Sequence, residues 1–159
     1  MAELLIETRI DAPIERCFAL SLSIDAHTGS MASSSEQAIA GVTSGEIGPG
    51  QTVTWSARHF GVRFRMTSLI SAYERPHRFV DEQVRGPFRH WWHEHLFDAV
   101  GQQTRMVDRI EFTAPFGPLG RLVERLVLER YMRRLIEQRN QWLKQELERE
   151  PRAPINSGG

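Results

Sequence analysis

The stretch GPLGRLVERLVLERYMRRLIEQRNQWLKQELERE, residues 117–150, decides the fold. Gly117 and Pro118 mark a helix start, because proline in the first turn gives up only an N–H that has no helical partner. Pro151 ends the helix by denying the next turn a donor. Between these limits apolar residues recur at helical spacing, but on two sides. Leu119, Leu122, Val123, Leu126 and Val127 gather on one side at about 100° per residue. Leu128, Met132, Leu135, Ile136, Trp142 and Leu143 gather roughly opposite. The switch predicts a bend or break near Leu128, or a helix clasped on two sides; a straight helix with one buried face would contradict it.

Upstream of the helix the chain is mostly strand-like. Residues 4–10 alternate, Asp11 and Pro13 close that strand, and 14–22 read as a short helix. Residues 27–36, rich in Ser, Gly and Ala, read as an irregular connection after a second short helix, and 37–42 as a short strand. Three glycines and Pro49 make 43–50 a loop. Segments 52–59 and 62–72 flank Phe60-Gly61, a tight hairpin connection. Further strands follow at 78–85, 90–99 and 104–113, turned by Gly86-Pro87 and Gly101-Gln102. The order is strand, helical region, about six strands joined by antiparallel turns, then a long helix, which is an α+β pattern.

At 159 residues the chain suits one domain, residues 1–150, with 151–159 a polar, Pro-, Ser- and Gly-rich tail expected to fray. Twenty basic and twenty acidic residues cancel, so no chain-wide field recruits nucleic acid or an anionic membrane. A single cysteine, Cys17, excludes an intramolecular disulfide and sits among Ile14, Phe18 and Leu20 as a small buried hydrophobe. Neither a signal-peptide pattern nor a run long enough to cross a bilayer is present, and a soluble cytoplasmic protein is expected. Oligomeric state is not set by the sequence.

Period-two alternation sorts the strand faces. Trp55, Phe64, Met66, Trp91, Phe97 and Ile110 fall on one face, and Arg58, Arg63, Arg65, Glu82, Glu94 and Arg109 on the other. The first face must look inward, yet it also carries Asp81, Gln83, His93, His95 and Asp108, which a pure core would exclude. Pairing across Gly86-Pro87 sets Asp81 opposite His95 and Gln83 opposite His93. Pairing across Gly101-Gln102 sets His95 opposite Asp108. A row Asp81–His95–Asp108 follows. It is either a polar anchor in a ligand cavity or a satisfied structural network.

Metal chemistry has little support in the pattern. His90 points away from His93 and His95 on a strand. His93-x-His95 lacks the later glutamate of a cupin motif, and His93-Glu94-His95 is not the helical zincin pattern. No metal, no cofactor and no nucleophile elbow, P-loop or dinucleotide fingerprint is expected.

Several pieces together are similar to one known family. They are 76–79, the run Asp81-Glu82-Gln83-Val84-Arg85-Gly86-Pro87-Phe88, the run 91–97, Asp108, 115–120 and Arg139. In this order they resemble the START-related (SRPBCC) superfamily, and most closely its bacterial cyclase/dehydrase-like ligand-binding branch. The resemblance implies a helix-grip fold, a curved antiparallel sheet of about seven strands around the C-terminal helix. It also implies a cavity between them, entered past loops such as 43–50, for a hydrophobic or amphipathic small molecule. No catalytic residue of the branch maps onto this chain.

Three functions follow for comparison. The first is binding or carriage of a lipid-like or aromatic molecule, with Trp55, Phe64, Met66, Trp91, Phe97 and Ile110 as apolar wall and Asp81, Gln83, His93, His95 and Asp108 as polar groups. The second is a polyketide cyclase or dehydratase using His95 with Asp108 or Asp81, which requires His95 or Asp108 open to the cavity. The third is a protein-binding module using Arg130, Arg133 and Arg134, a run that otherwise reads as a solvated face interleaved with Glu129 and Glu137.

Overall fold

The computed structural model describes residues 1–115 and 117–149, without the Glu124 side chain. The expected helix end at Glu150 and Pro151 and the expected tail lie outside the described residues. Seven strands form one sheet: β1 (Ala2–Ile10), β2 (Gln37–Gly41), β3 (Thr52–His59), β4 (Val62–Glu74), β5 (Arg78–Arg85), β6 (His90–Val100) and β7 (Gln103–Thr113). Their order is β1-β7-β6-β5-β4-β3-β2, and every pair is antiparallel. In β1 each even residue is buried and each odd one exposed, as a sheet with one solvated face requires.

Two helices, α1 (Ile14–Ser21) and α2 (Ile24–Ser30), and a 3₁₀ turn (Ala32–Ser34) connect β1 to β2. Ser23 caps α2, its hydroxyl accepting from Ala26 N–H at 3.1 Å. α2 runs further into the Ser- and Gly-rich stretch than its composition suggests. Thr28 and Ser30 hydroxyls donate to carbonyls of the helix itself at 3.1 and 2.8 Å. Gly29 admits the Trp142 ring, which an added Cβ would meet at 3.0 Å.

The C-terminal region is broken where the apolar pattern switches. α3 (Gly117–Val123) passes through a π-helical segment (Glu124–Leu128) into α4 (Glu129–Arg149). The extra residue per turn rotates the face that α4 presents to the sheet. α4 buries Leu135, Ile136, Arg139, Asn140, Leu143 and Leu147. The apolar residues before the switch are not clasped from a second side: Leu119 is 67% exposed and Leu126 62%.

Turn chemistry fixed one register and misled on another. The β3–β4 hairpin pairs His59 with Val62, and both intervening residues have positive φ, Phe60 at 53° and Gly61 at 75°. The β5–β6 connection is wider than a two-residue turn. Asp81 pairs with His93, not His95, and Phe79 takes the place opposite His95. Gln83, expected opposite His93, instead closes the loop: its Nε2 donates to Phe88 O at 2.8 Å and its Oε1 accepts from Phe88 N–H at 3.2 Å. A Cβ at Gly86 would come within 2.3 Å of Gln83 Oε1, so a larger residue there would displace the Gln83 amide from its place in the loop. Across β6–β7 the expected pairing holds, with His95 opposite Asp108.

The interior has two parts. Phe18 of α1 anchors a closed end with Phe79, Phe97, Met106 and Leu143. A second cluster of Leu4, Ile6, Trp91, Ile110, Phe112 and Ile136 fills the space between β1, β6, β7 and α4.

Candidate functional site

Strand alternation brings Asp81, His93, His95 and Asp108 to one face of three adjacent strands, and their side chains cross between rows. His93 Nε2 is 2.8 Å from Asp108 Oδ1, and His95 Nε2 is 2.8 Å from Asp81 Oδ2. The other ring nitrogens face the opposite carboxylates, His93 Nδ1 at 3.5 Å from Asp81 Oδ2 and His95 Nδ1 at 3.1 Å from Asp108 Oδ1. The last approach is close enough for attraction but lacks hydrogen-bond geometry. The two imidazoles lie against each other at a 33° tilt, 3.8 Å between centroids, and Phe79 stacks on His95 at 4.1 Å.

α4 adds the cation. Arg139 Nη1 lies 3.4 Å from Asp108 Oδ1 and donates to Asn140 Oδ1 at 3.0 Å. Asn140 Nδ2 donates to Asp108 Oδ2 at 2.6 Å and to Thr8 Oγ1 at 3.2 Å. Burial works against ionising Asp108, yet the histidine nitrogens and the Arg139 charge hold its carboxyl well below the usual range. Burial likewise opposes ionisation of Asp81, and the His95 hydrogen bond with the His93, His95 and Arg139 charges brings it to about 2. Burial and the neighbouring His95 lower His93, against the pull of Asp108 and Asp81. Two carboxylates against one guanidinium leave the cluster of Asp81, Asp108 and Arg139 a single formal negative charge.

This network forms part of the wall of a cavity of about 620 Å³ between the sheet and the C-terminal helices. Of the expected ligand contacts, Trp55, Phe64, Met66, Asp81, Trp91, His93 and His95 line it. Gln83, Phe97, Asp108 and Ile110 do not. Gln83 closes its loop, Phe97 belongs to the closed-end core, and Asp108 and Ile110 lie fully buried behind the wall. Asp81, with 20% of its side chain exposed, is the network's most open carboxylate, whereas the His95 side chain is 3% exposed.

The exposed lining residues Phe60, Leu119, Val123 and Val127 place the opening between the β3–β4 tip and α3 with its π-helical extension. The 43–50 loop does not form that opening. It contributes only Ile47, which is buried, and is pinned by Ile24 N–H to Gly45 O at 2.8 Å and Ile47 N–H to Leu22 O at 3.0 Å.

Several polar features of the wall were not visible in the sequence. Two lining residues, Trp91 and Ser68, hold buried polar atoms, Nε1 and Oγ, with no partner among the described residues. His27 meets Glu36 at 2.8 Å beneath Trp55, and His59 meets the Tyr131 hydroxyl at 2.7 Å near the mouth. Burial lowers His59 and raises Tyr131, so both are neutral near pH 7. Arg139 and Asn140 had a visible signal: they continue the α4 stripe of Leu135, Ile136, Leu143 and Leu147, where apolar residues belong. Trp91 and Ser68 carried none, because an orphaned atom is a property of its surroundings.

Asp81, His93 and His95 also present ligand atoms within 4.8 Å of one another, the donor set of a two-histidine, one-carboxylate cation site. An ion there would displace the Asp81–His95 hydrogen bond beside an existing guanidinium, so the donors fit a metal in kind but already serve one another.

Comparisons with known proteins agree with this geometry. Residues 1–148 match the model of the family described as polyketide cyclase / dehydrase and lipid transport. No curated protein matches the sequence. The fold is similar to TTHA0849 from Thermus thermophilus, with TM-score 0.75 and 20% identity over 92% of this chain and 97% of that one. It is similar to the Zhui aromatase/cyclase from Streptomyces sp. R1128, with TM-score 0.75 and 16% identity over 99% and 98%. A START superfamily protein from Mycobacterium smegmatis gives TM-score 0.68 and 11% identity over 92% and 97%. At these identities the structures establish the fold, and the family match establishes membership. The chain belongs to the polyketide cyclase / dehydrase and lipid transport family and has the helix-grip fold, and its cavity is of the kind that binds a hydrophobic small molecule.

Proposed function

We propose that residues 1–150 act as one domain that binds or carries an amphipathic molecule ending in a neutral hydroxyl, an alcohol or a phenol. The observation that carries this reading is the character of the cavity wall. It is mostly apolar, and its polar points include an open acceptor, Asp81, and two buried groups without partners among the described residues, Trp91 Nε1 and Ser68 Oγ. A carboxylate held near pKa 2 stays charged at neutral pH and repels an acid, but accepts from O–H. The hydroxyl oxygen in turn can accept from the indole N–H or the serine. Burial of an apolar body supplies the affinity, at about 25 cal/mol per Å². A reducing aqueous compartment such as the cytoplasm suits a chain whose single cysteine, Cys17, is a buried thiol.

The test is a matched pair of ligands, a long-chain alkyl phenol and the alkanoic acid of equal length, titrated by calorimetry into wild type and Asp81→Asn. The phenol is expected to bind at least about tenfold more tightly, a difference of roughly 1.4 kcal/mol. Removing the Asp81 charge should narrow the gap by admitting the acid. Equal binding of both ligands to wild type would remove Asp81 from the recognition.

The cyclase reading requires a reacting group that the substrate can reach. His95 is sandwiched between Phe79 and His93, and Asp108 is sealed, which leaves Asp81 as the exposed member of the set. Those contacts favour orientation of a ligand over proton transfer by His95.

A further inference from the structure

The end of the molecule that holds the cavity mouth differs in surface chemistry from the rest. The β3–β4 tip, the β5–β6 turn, α3 and the π-helical segment meet there. Phe60 packs on Tyr131 of α4 at 4.4 Å, and Arg89 N–H bonds to Thr113 O at the end of β7. Twelve large hydrophobic side chains are exposed among the described residues, and eight lie in these elements or at the strand ends that flank them. The most open are Leu119 at 67%, Leu126 at 62%, Phe60 at 60% and Leu122 at 56%. Leu119 also lines the mouth, whereas Leu122 and Leu126 are absent from the cavity lining and are each more than half exposed. Phe60 holds a positive φ that a bulky side chain rarely adopts, and this conformation keeps its ring at the rim.

The charge is segregated in the same place. Residues 58–65, 84–92 and 117–134 contain ten arginines and two glutamates, a formal +8 in a chain whose total is zero, so the remaining residues carry −8. Among the described residues, only Arg133 of the ten has an ion-pair partner, Glu137 at 3.9 Å. Self-association through this end would set +8 against +8. A nucleic acid would use the arginines and leave the leucines in water. Exposed apolar side chains at the mouth of a cavity, on segments that carry a formal +8, match the surface of an anionic bilayer, where leucine reaches the acyl boundary and arginine the phosphates.

We propose that this end docks reversibly on an anionic lipid surface with the cavity mouth turned toward the bilayer. The docking stands on surface residues alone. It rests on the cavity reading only for what passes through the mouth.

The experiment is co-sedimentation of the full chain with phosphatidylcholine vesicles, with and without about 30 mol% phosphatidylglycerol, at about 0.05 and 0.5 M NaCl. Uptake of an apolar fluorescent probe is measured in parallel without vesicles, so that failure of docking and failure of the cavity are told apart. Binding to the anionic vesicles at low salt is expected at least about tenfold above neutral ones, falling at high salt. The double variant Leu122→Asp/Leu126→Asp should lose vesicle binding by at least about tenfold, and Arg121→Glu/Arg125→Glu should lose the preference for anionic lipid, both with probe uptake unchanged. Three results would overturn the proposal: no vesicle binding, equal binding to neutral and anionic vesicles, or a dimer that both variants dissolve. Binding of a short polynucleotide as tight as that of anionic vesicles, undiminished by Leu122→Asp/Leu126→Asp, would assign the face to nucleic acid instead.

Discussion

At the closed end of the molecule Phe18 meets Tyr73, Phe79 and Phe97 edge-on at 5.4 to 5.6 Å, and Phe18, Phe79 and Phe97 are each at most 2% exposed. At the mouth, Leu119, Leu122, Val123, Leu126 and Val127 stand 42 to 67% exposed beside the opening of the cavity. Both ends draw on hydrophobic residues, but interlocking rings need no further partner, whereas the mouth presents exposed apolar surface. Stability is concentrated where the sheet closes on α1 and the lower part of α4, and binding where the sheet parts from α3. The Asp81–His93–His95–Asp108–Arg139 network lies at the boundary between the two.

Mutation should separate the two ends clearly. Phe18→Ala should cost about 3–5 kcal/mol in urea unfolding, through lost burial and a cavity that close-packed rings cannot refill. Leu122→Ala at the mouth should stay within about 0.5 kcal/mol of wild type. Comparable losses at the two positions would break the contrast. At the boundary, Asp108→Ala strips the counter-charge from Arg139, itself 4% exposed, and should cost about 3–5 kcal/mol. A loss under about 1 kcal/mol would mean that the network is not held together by Asp108.

Acid should weaken the boundary in two stages. An unfolded Asp titrates near 3.9 and folded Asp81 near 2, so its stabilisation, on the order of 2 kcal/mol, is complete above about pH 4 and disappears as pH falls toward 2. Asp108, lowered further, acts in the same direction. His93 is lowered in the fold, so the unfolded chain takes its proton first, and stability begins to decline as pH falls below about 6.5. Urea midpoints measured from pH 8 to 3 should fall across both windows, and Asp81→Asn should flatten the lower one. A midpoint that rises between pH 5 and 3 would contradict the depressed carboxylates.

Much of this arrangement was legible in the residues. Alternation alone put Asp81, His93, His95 and Asp108 on one inward face, and the switch of apolar stripe near Leu128 marked the π-helical segment. What the sequence could not convey was loop width. Gly86-Pro87 looks like a two-residue turn, but Gln83 folds back on Phe88 and moves the β5–β6 pairing by two residues. The interior face survived because a shift of two preserves the side of every side chain, while the row itself became diagonal. Which inward residues meet open space was equally hidden. Phe97 and Trp91 share one strand face, yet only Trp91 reaches the cavity, because α1 fills the volume over Phe97.

The most direct measurement is native mass spectrometry of the purified full chain beside Ala57→Trp, which places an indole in the cavity opposite Phe64. One small-molecule mass increment per wild-type chain is expected, absent from a variant whose circular dichroism is unchanged, and extraction should yield a hydrophobic compound bearing a hydroxyl. A wild-type chain that carries no small molecule and gains none from an excess of apolar alcohols and phenols would contradict a binding cavity.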